Sequence, residues 1–207
     1  EFVDDEFAER AAFESVEREA HTQSLAGHDK KRRGRVGLTH AFVPAAPVSG
    51  MPPSEGERAP DFEALLCDGE TFRSTTFDAQ LDEDGGVLVF AGFAFSAVAQ
   101  NWWTRYENAE WHEFDVPVLG VSRDGPYGQN EFIRQRTIPF DLFADVDGGI
   151  GEAYDLLTPR GHMANTSTPW RSVFVVDGDR EIQYRWVADD WISPTPREEI
   201  EDAVADL

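Results

Sequence analysis

The chain of 207 residues contains a single cysteine, Cys67, and only two lysines, Lys30 and Lys31. One thiol cannot close an intramolecular disulfide or build a multi-cysteine zinc site, and there is no Cys-x-x-Cys pair for disulfide exchange. The five histidines are scattered, without the H-E-x-x-H spacing of a zinc-binding helix. No metal and no cofactor are expected. No apolar run reaches the roughly 18 residues that cross a bilayer, and the acidic first residues lack the apolar core of a secretory signal. Neither a transmembrane helix nor a leader is expected, which leaves the cytoplasm as the default location.

Acid is what the chain has in excess. Forty Asp and Glu against 18 Lys and Arg give a net charge of -22. Such a surface repels phosphate backbones and anionic lipid, so nucleic-acid and membrane binding are disfavoured. Two explanations compete: an acidic functional face, or adaptation of a whole proteome to high salt. The acids are spread along the chain, and 18 bases less Lys30 and Lys31 leave 16 arginines. Spread acidity with little lysine has the look of a protein from a salt-accumulating halophile. The charge then tells where the protein works and little about what it does.

The apolar fraction of 41%, with 15 Phe and 6 Trp, is enough for one domain with a sizeable core plus an extension. Residues 1–53 read as that extension and linker. Val3, Phe7, Ala11, Phe13, Val16 and Ala20 give a loose helical period, followed by the basic run at 30–35 and a Pro/Ala/Gly stretch over 43–53. The basic run reads as a solvated linker, with an anion contact as the alternative. Met51 is the expected native start, with residues 1–50 an upstream translation or a dispensable extension. Residues 54–207 form the expected domain. Its predicted strands are 62–66 and 71–73 around the Asp68-Gly69 turn, 87–91, 116–121, 140–143, 170–176 and 182–186. Its predicted helices are 98–114, 129–135, 150–154 and 195–206. Strands alternating with helices, then a hairpin and a last helix, predict an α/β fold: a central mixed sheet with helices on both faces.

Four ordered segments carry a family resemblance. Gly56-Glu57-Arg58-Ala59-Pro60-Asp61-Phe62 is similar to the G-x-x-A-P-D-F opening of the peroxiredoxins. Gly120-Val121-Ser122-Arg123-Asp124 resembles their G-V-S-x-D segment. Pro139-Phe140, Asp145-Val146-Asp147-Gly148 and Ala153-Tyr154 resemble P-F…D-x-D-G…Y, and Arg171 to Asp177 resembles R-x-x-F-[IV]-[IV]-D. From about residue 56 to the C-terminus the chain resembles a redoxin of the AhpC/TSA group, with a thioredoxin-like three-layer fold. The resemblance implies thiol-dependent peroxide reduction, an antioxidant oxidoreductase activity, a tendency to dimerise, and a redox partner protein or a small anionic or peroxide ligand.

The family loop P-x-x-x-[TS]-x-x-C supplies a proline shield, a hydroxyl for the peroxide, and a thiolate at a helix N-terminus whose pKa an arginine lowers. Laid on this chain, the proline position is Gly92, the hydroxyl position Ser96, the peroxidatic cysteine position Ala99 and the arginine position Arg171. Alanine offers no nucleophile, so the expectation is a binding or assembly module rather than a peroxidase by the family route. The alternative is an active oxidoreductase using Cys67 or a partner's thiol. Asp68 and Glu70 would raise the Cys67 pKa, which favours an inert thiol at the end of a hairpin strand. Ser96 also reads as a helix cap, and Arg171 as an ion-pair partner for an acid on the facing helix. Of Trp102 and Trp103, one is expected in the core and the other over the pocket or facing a partner. The acids at 145–147 miss the calcium-loop spacing, and the glycines at 148–151 lack the Lys-Ser/Thr of a phosphate loop.

Overall fold

The computed structural model describes residues 50–190 and 192–207. The helix expected over 3–20 and the basic run 30–35 lie outside the described residues.

A hairpin opens the sheet. β1 (Glu63–Cys67) and β2 (Phe72–Thr76) pair antiparallel around the turn that the Asp68-Gly69 signal predicts. Asp68 Oδ1 accepts the N–H groups of Glu70 at 2.8 Å and Thr71 at 2.6 Å, while Gly69 takes a φ of +92°, open to glycine at no steric cost. β3 (Gly86–Phe90), β4 (Val118–Ser122) and β8 (Ser172–Val176) are buried at every residue, as their continuous apolar sequences require. With β5 (Asp141–Ala144) and β9 (Ile182–Val187) they complete a seven-stranded sheet of order β2-β1-β5-β4-β3-β8-β9. β3, β4 and β5 run parallel, and β8 is antiparallel to β3 with Phe90 opposite Ser172.

Helices cover both faces. α1 (Ala97–Asn108) buries Ala99, Trp102, Trp103 and Tyr106, a spacing that keeps one face inward. With α2 (Pro126–Arg136) and α4 (Arg197–Ala205) it packs against Val87, Val89 and Leu142. α3 (Gly149–Ala153) packs on the other face through Ile150, with Leu88, Phe90, Val121 and Phe174. The alternation along β3 sends Val87 and Val89 to one core and Leu88 and Phe90 to the other.

Three features differ from the sequence expectations. The helix expected over 98–114 stops at Asn108; Glu110 takes a left-handed φ of 59° and a single 3-10 turn follows at Trp111–Glu113. The strand expected from Trp170 begins at Ser172. A two-stranded hairpin, β6 (Leu157–Arg160) with β7 (Thr166–Pro169), was not expected, because Pro159 and Pro169 argue against strands except at sheet edges.

Candidate functional site

The parallel run of β3, β4 and β5 delivers three loops to one edge of the sheet, the usual place for a site in such folds. The loop after β3 is tied at each end. The Gly92 carbonyl accepts from the Arg123 N–H at 2.9 Å, and Asp124 Oδ2 takes the Ala94 N–H at 2.6 Å and the Ser122 hydroxyl at 3.0 Å. Ser96 then caps α1: its hydroxyl oxygen accepts the Ala99 N–H at 3.2 Å, satisfying one of the free donors of the first turn. The cap expected at Ser96 is present. Gly92 stands beside Thr168 of β7, and a Cβ there would lie 3.6 Å from that side chain, an ordinary contact. Crowding does not demand a glycine at this position.

Ala99 is 2% exposed and belongs to the core that α1 shares with Val87, Val89 and Trp102. Arg171 precedes β8 and is 4% exposed. Its guanidinium lies 4.2 Å from the ring centre of Trp102 and 5.2 Å from that of Trp186, and it donates through Nη2 to the carbonyl of Ser193. No salt bridge joins it to a carboxylate among the described residues, which corrects the expected ion pair with an acid on a facing helix. Its partners include two indole faces, the Ser193 carbonyl and the Tyr106 side chain, while Nε and Nη1 are buried without a hydrogen-bond partner. Burial pushes the guanidinium pKa down to about 10, with the nearby Tyr106 and Asp190 opposing. Both tryptophans are core residues, at 8% exposure for Trp102 and 2% for Trp103. Trp102 also turns a ring face to the Arg171 guanidinium.

Cys67 ends β1, as its place before the Asp68-Gly69 turn implies, and it is fully buried. Its pKa is pushed up to about 12, chiefly by burial and then by Asp68 and Asp141. The thiol lies 3.7 Å from the carbonyl of Pro126. In the sheet order β1 stands three strands from β3, roughly 14 Å at the ordinary strand spacing. The structure therefore does not bring Cys67 to the loop that holds Ser96 and Ala99.

Two contributors escaped the sequence. Asp124 anchors the loop through Ala94, although it stood in a motif already noted. Arg160 of β6 reaches the Thr168 hydroxyl through Nε at 2.7 Å and lies 4.7 Å over the Trp170 ring, which places a second buried arginine beside Thr168 and thus near Gly92. No short-range pattern could have announced it, since the hairpin carrying it was unforeseen. The acids at 145–147 are engaged in capping α3: Asp145 accepts the N–H groups of Ile150 and Gly151, and Asp147 that of Gly149. Among the described residues no group of three potential ligands is placed to hold a metal.

The layers, strand order and capped helix entry define a thioredoxin-like α/β protein of the peroxiredoxin type. Residues 56–185, more than half of the chain, match the AhpC/TSA family, and the chain belongs to that family. It is 26% identical over 141 residues to a chloroplastic 2-cysteine peroxiredoxin of Chattonella marina var. antiqua, a match covering 64% of this chain and 69% of that protein. Its fold is similar to the reduced 2-Cys peroxiredoxin of Plasmodium vivax (TM-score 0.62, 21% identity, 73% of this chain and 95% of that one). It is also similar to AhpC of Mycobacterium tuberculosis (TM-score 0.60, 20% identity, 74% and 92%).

Proposed function

We propose that this member of the family works by binding rather than by peroxide turnover, with Ala99 at the peroxidatic position and Arg171 as the element kept for a small anionic ligand. The observation that carries the proposal is the state of the one thiol. A peroxidatic cysteine must be a thiolate within reach of substrate, whereas Cys67 is buried and has a pKa pushed up to about 12. The ligand side rests on Arg171, a buried cation with two unpaired N–H donors in a chain that has 40 carboxylates available. Such donors are costly to leave unmade and suit an oxyanion.

Hydrogen peroxide consumption with dithiothreitol as reductant tests the proposal. The expected rate equals that of the reductant alone, and the Cys67→Ser variant behaves identically. Turnover well above background that disappears in Cys67→Ser would overturn it in favour of an oxidoreductase built on that thiol.

A further inference from the structure

The Arg171 donors are shut away from solvent: the residue is 4% exposed, and its Nε and Nη1 are buried. An anion can reach them only if a neighbouring segment moves. Of the groups around the guanidinium, Trp102 and Tyr106 belong to α1 and Trp186 to β9, elements held by their own backbone ladders. Ser193, whose carbonyl accepts from Nη2, lies instead in the irregular stretch 192–196 before α4. Pro194 and Pro196 deny that stretch the N–H groups a ladder needs, and Pro194 is exposed. Side-chain contacts hold it down. Asp190 Oδ1, on the surface, accepts the N–H groups of Ile192 at 2.8 Å and Ser193 at 2.5 Å and the Ser193 hydroxyl at 2.8 Å. The Thr195 hydroxyl meets that of Tyr106 at 3.0 Å.

The Ser193 carbonyl puts a neutral oxygen where an oxyanion would bring a charged one. A guanidinium grips an oxyanion with a fork of two N–H groups, either Nε with Nη2 or Nη1 with Nη2, and both forks include the nitrogen this carbonyl occupies. We infer that residues 192–196 are a strap that closes the Arg171 site, and that an anion gains the guanidinium when the Ser193 carbonyl releases it. The inference rests on the reading of Arg171 as the anion-binding element. The closed form keeps the Asp190 and Thr195 bonds and leaves Nε and Nη1 unmade; the open form gives up those bonds and offers the donors to water or an anion. The open fraction then scales the apparent affinity for the anion.

Phenylglyoxal, which modifies accessible arginines, reads the open fraction when the full chain is labelled and its peptides are followed by mass spectrometry. Asp190→Ala removes the acceptor that holds Ile192 and Ser193, whereas Asp190→Asn loses the same charge but keeps an acceptor oxygen. Arg171 should be modified about tenfold faster in Asp190→Ala than in Asp190→Asn, a shift in the opening equilibrium of roughly 1.4 kcal/mol. Arg180, paired with Asp78 beyond the far end of β8, should react equally in the two variants. Inorganic phosphate should slow the Arg171 reaction in Asp190→Ala. Equal Arg171 rates in the two variants, or a rise matched at Arg180, would overturn the strap. The tenfold ratio without protection by phosphate would support the strap and overturn the anion reading instead.

Discussion

Replacing Arg171 with methionine separates a residue kept for stability from one kept for a ligand. The substitution keeps most of the side-chain volume and removes the charge. It forfeits a charge-assisted hydrogen bond to Ser193, worth about 2 kcal/mol, and contacts with Trp102 and Trp186 worth about 1 kcal/mol each. Against that stands the cost of holding a cation in a site only 4% exposed. The guanidinium pKa falls from 12.5 to about 10, and that shift corresponds to about 3 kcal/mol in favour of the uncharged state. Gains and losses nearly cancel, so Arg171→Met should change stability by less than about 2 kcal/mol. Arg171→Ala, which leaves a cavity between two indoles, should cost about 3–5 kcal/mol, as large-to-small core changes do. Urea unfolding followed by tryptophan fluorescence, at one fixed high salt concentration, measures both. If Arg171→Met costs 4 kcal/mol or more, the guanidinium is a structural keystone and the ligand argument fails. If the balance holds, acetate or phosphate should raise the melting temperature of the native chain and leave that of Arg171→Met unchanged.

Two further outcomes follow from the same geometry. Cys67 should resist iodoacetamide at pH 8: moving a thiol pKa from 9.0 to about 12 leaves about a thousandfold less thiolate, and burial blocks access as well. Because the folded pKa lies above the unfolded one, the stability tied to this thiol is complete below pH 9 and is lost as pH rises towards 12. Cys67→Ala should therefore flatten the alkaline fall in stability, and an unchanged slope would refute the shift. Ser96→Ala removes the side-chain acceptor at the start of α1 and should cost about 1 kcal/mol in denaturant unfolding; a cost indistinguishable from zero would mean the cap is not needed.

Much of the scaffold was legible locally. The run over 87–91 is apolar without interruption, as expected of a strand covered on both faces, and it became β3, while the strand expected over 116–121 with its Pro-marked entry became β4, which begins just after Pro117. Asp68-Gly69 announced its hairpin through turn chemistry that acts within a few residues. The β6–β7 hairpin was not legible, because Pro159 and Pro169 weigh against strands and their pairing depends on an edge position that no local pattern encodes. At the site, Ser96 could be read as a cap because its partner, Ala99, lies three residues on. The surroundings of Arg171 could not be read, since Trp102, Trp186 and Ser193 arrive from three separate parts of the chain.

The sequence by itself determined that this protein has one thiol, a large excess of acid, and a peroxiredoxin-type order of strands and helices. Those properties follow from residue identity, periodicity and short-range turn and cap chemistry. Tertiary structure decided that the thiol is buried three strands from the loop holding Ala99, and that Arg171 lies against two indoles with two donor nitrogens unpaired. Each depends on which distant segments pack together, and desolvation at such contacts sets the charge state and reach of a side chain.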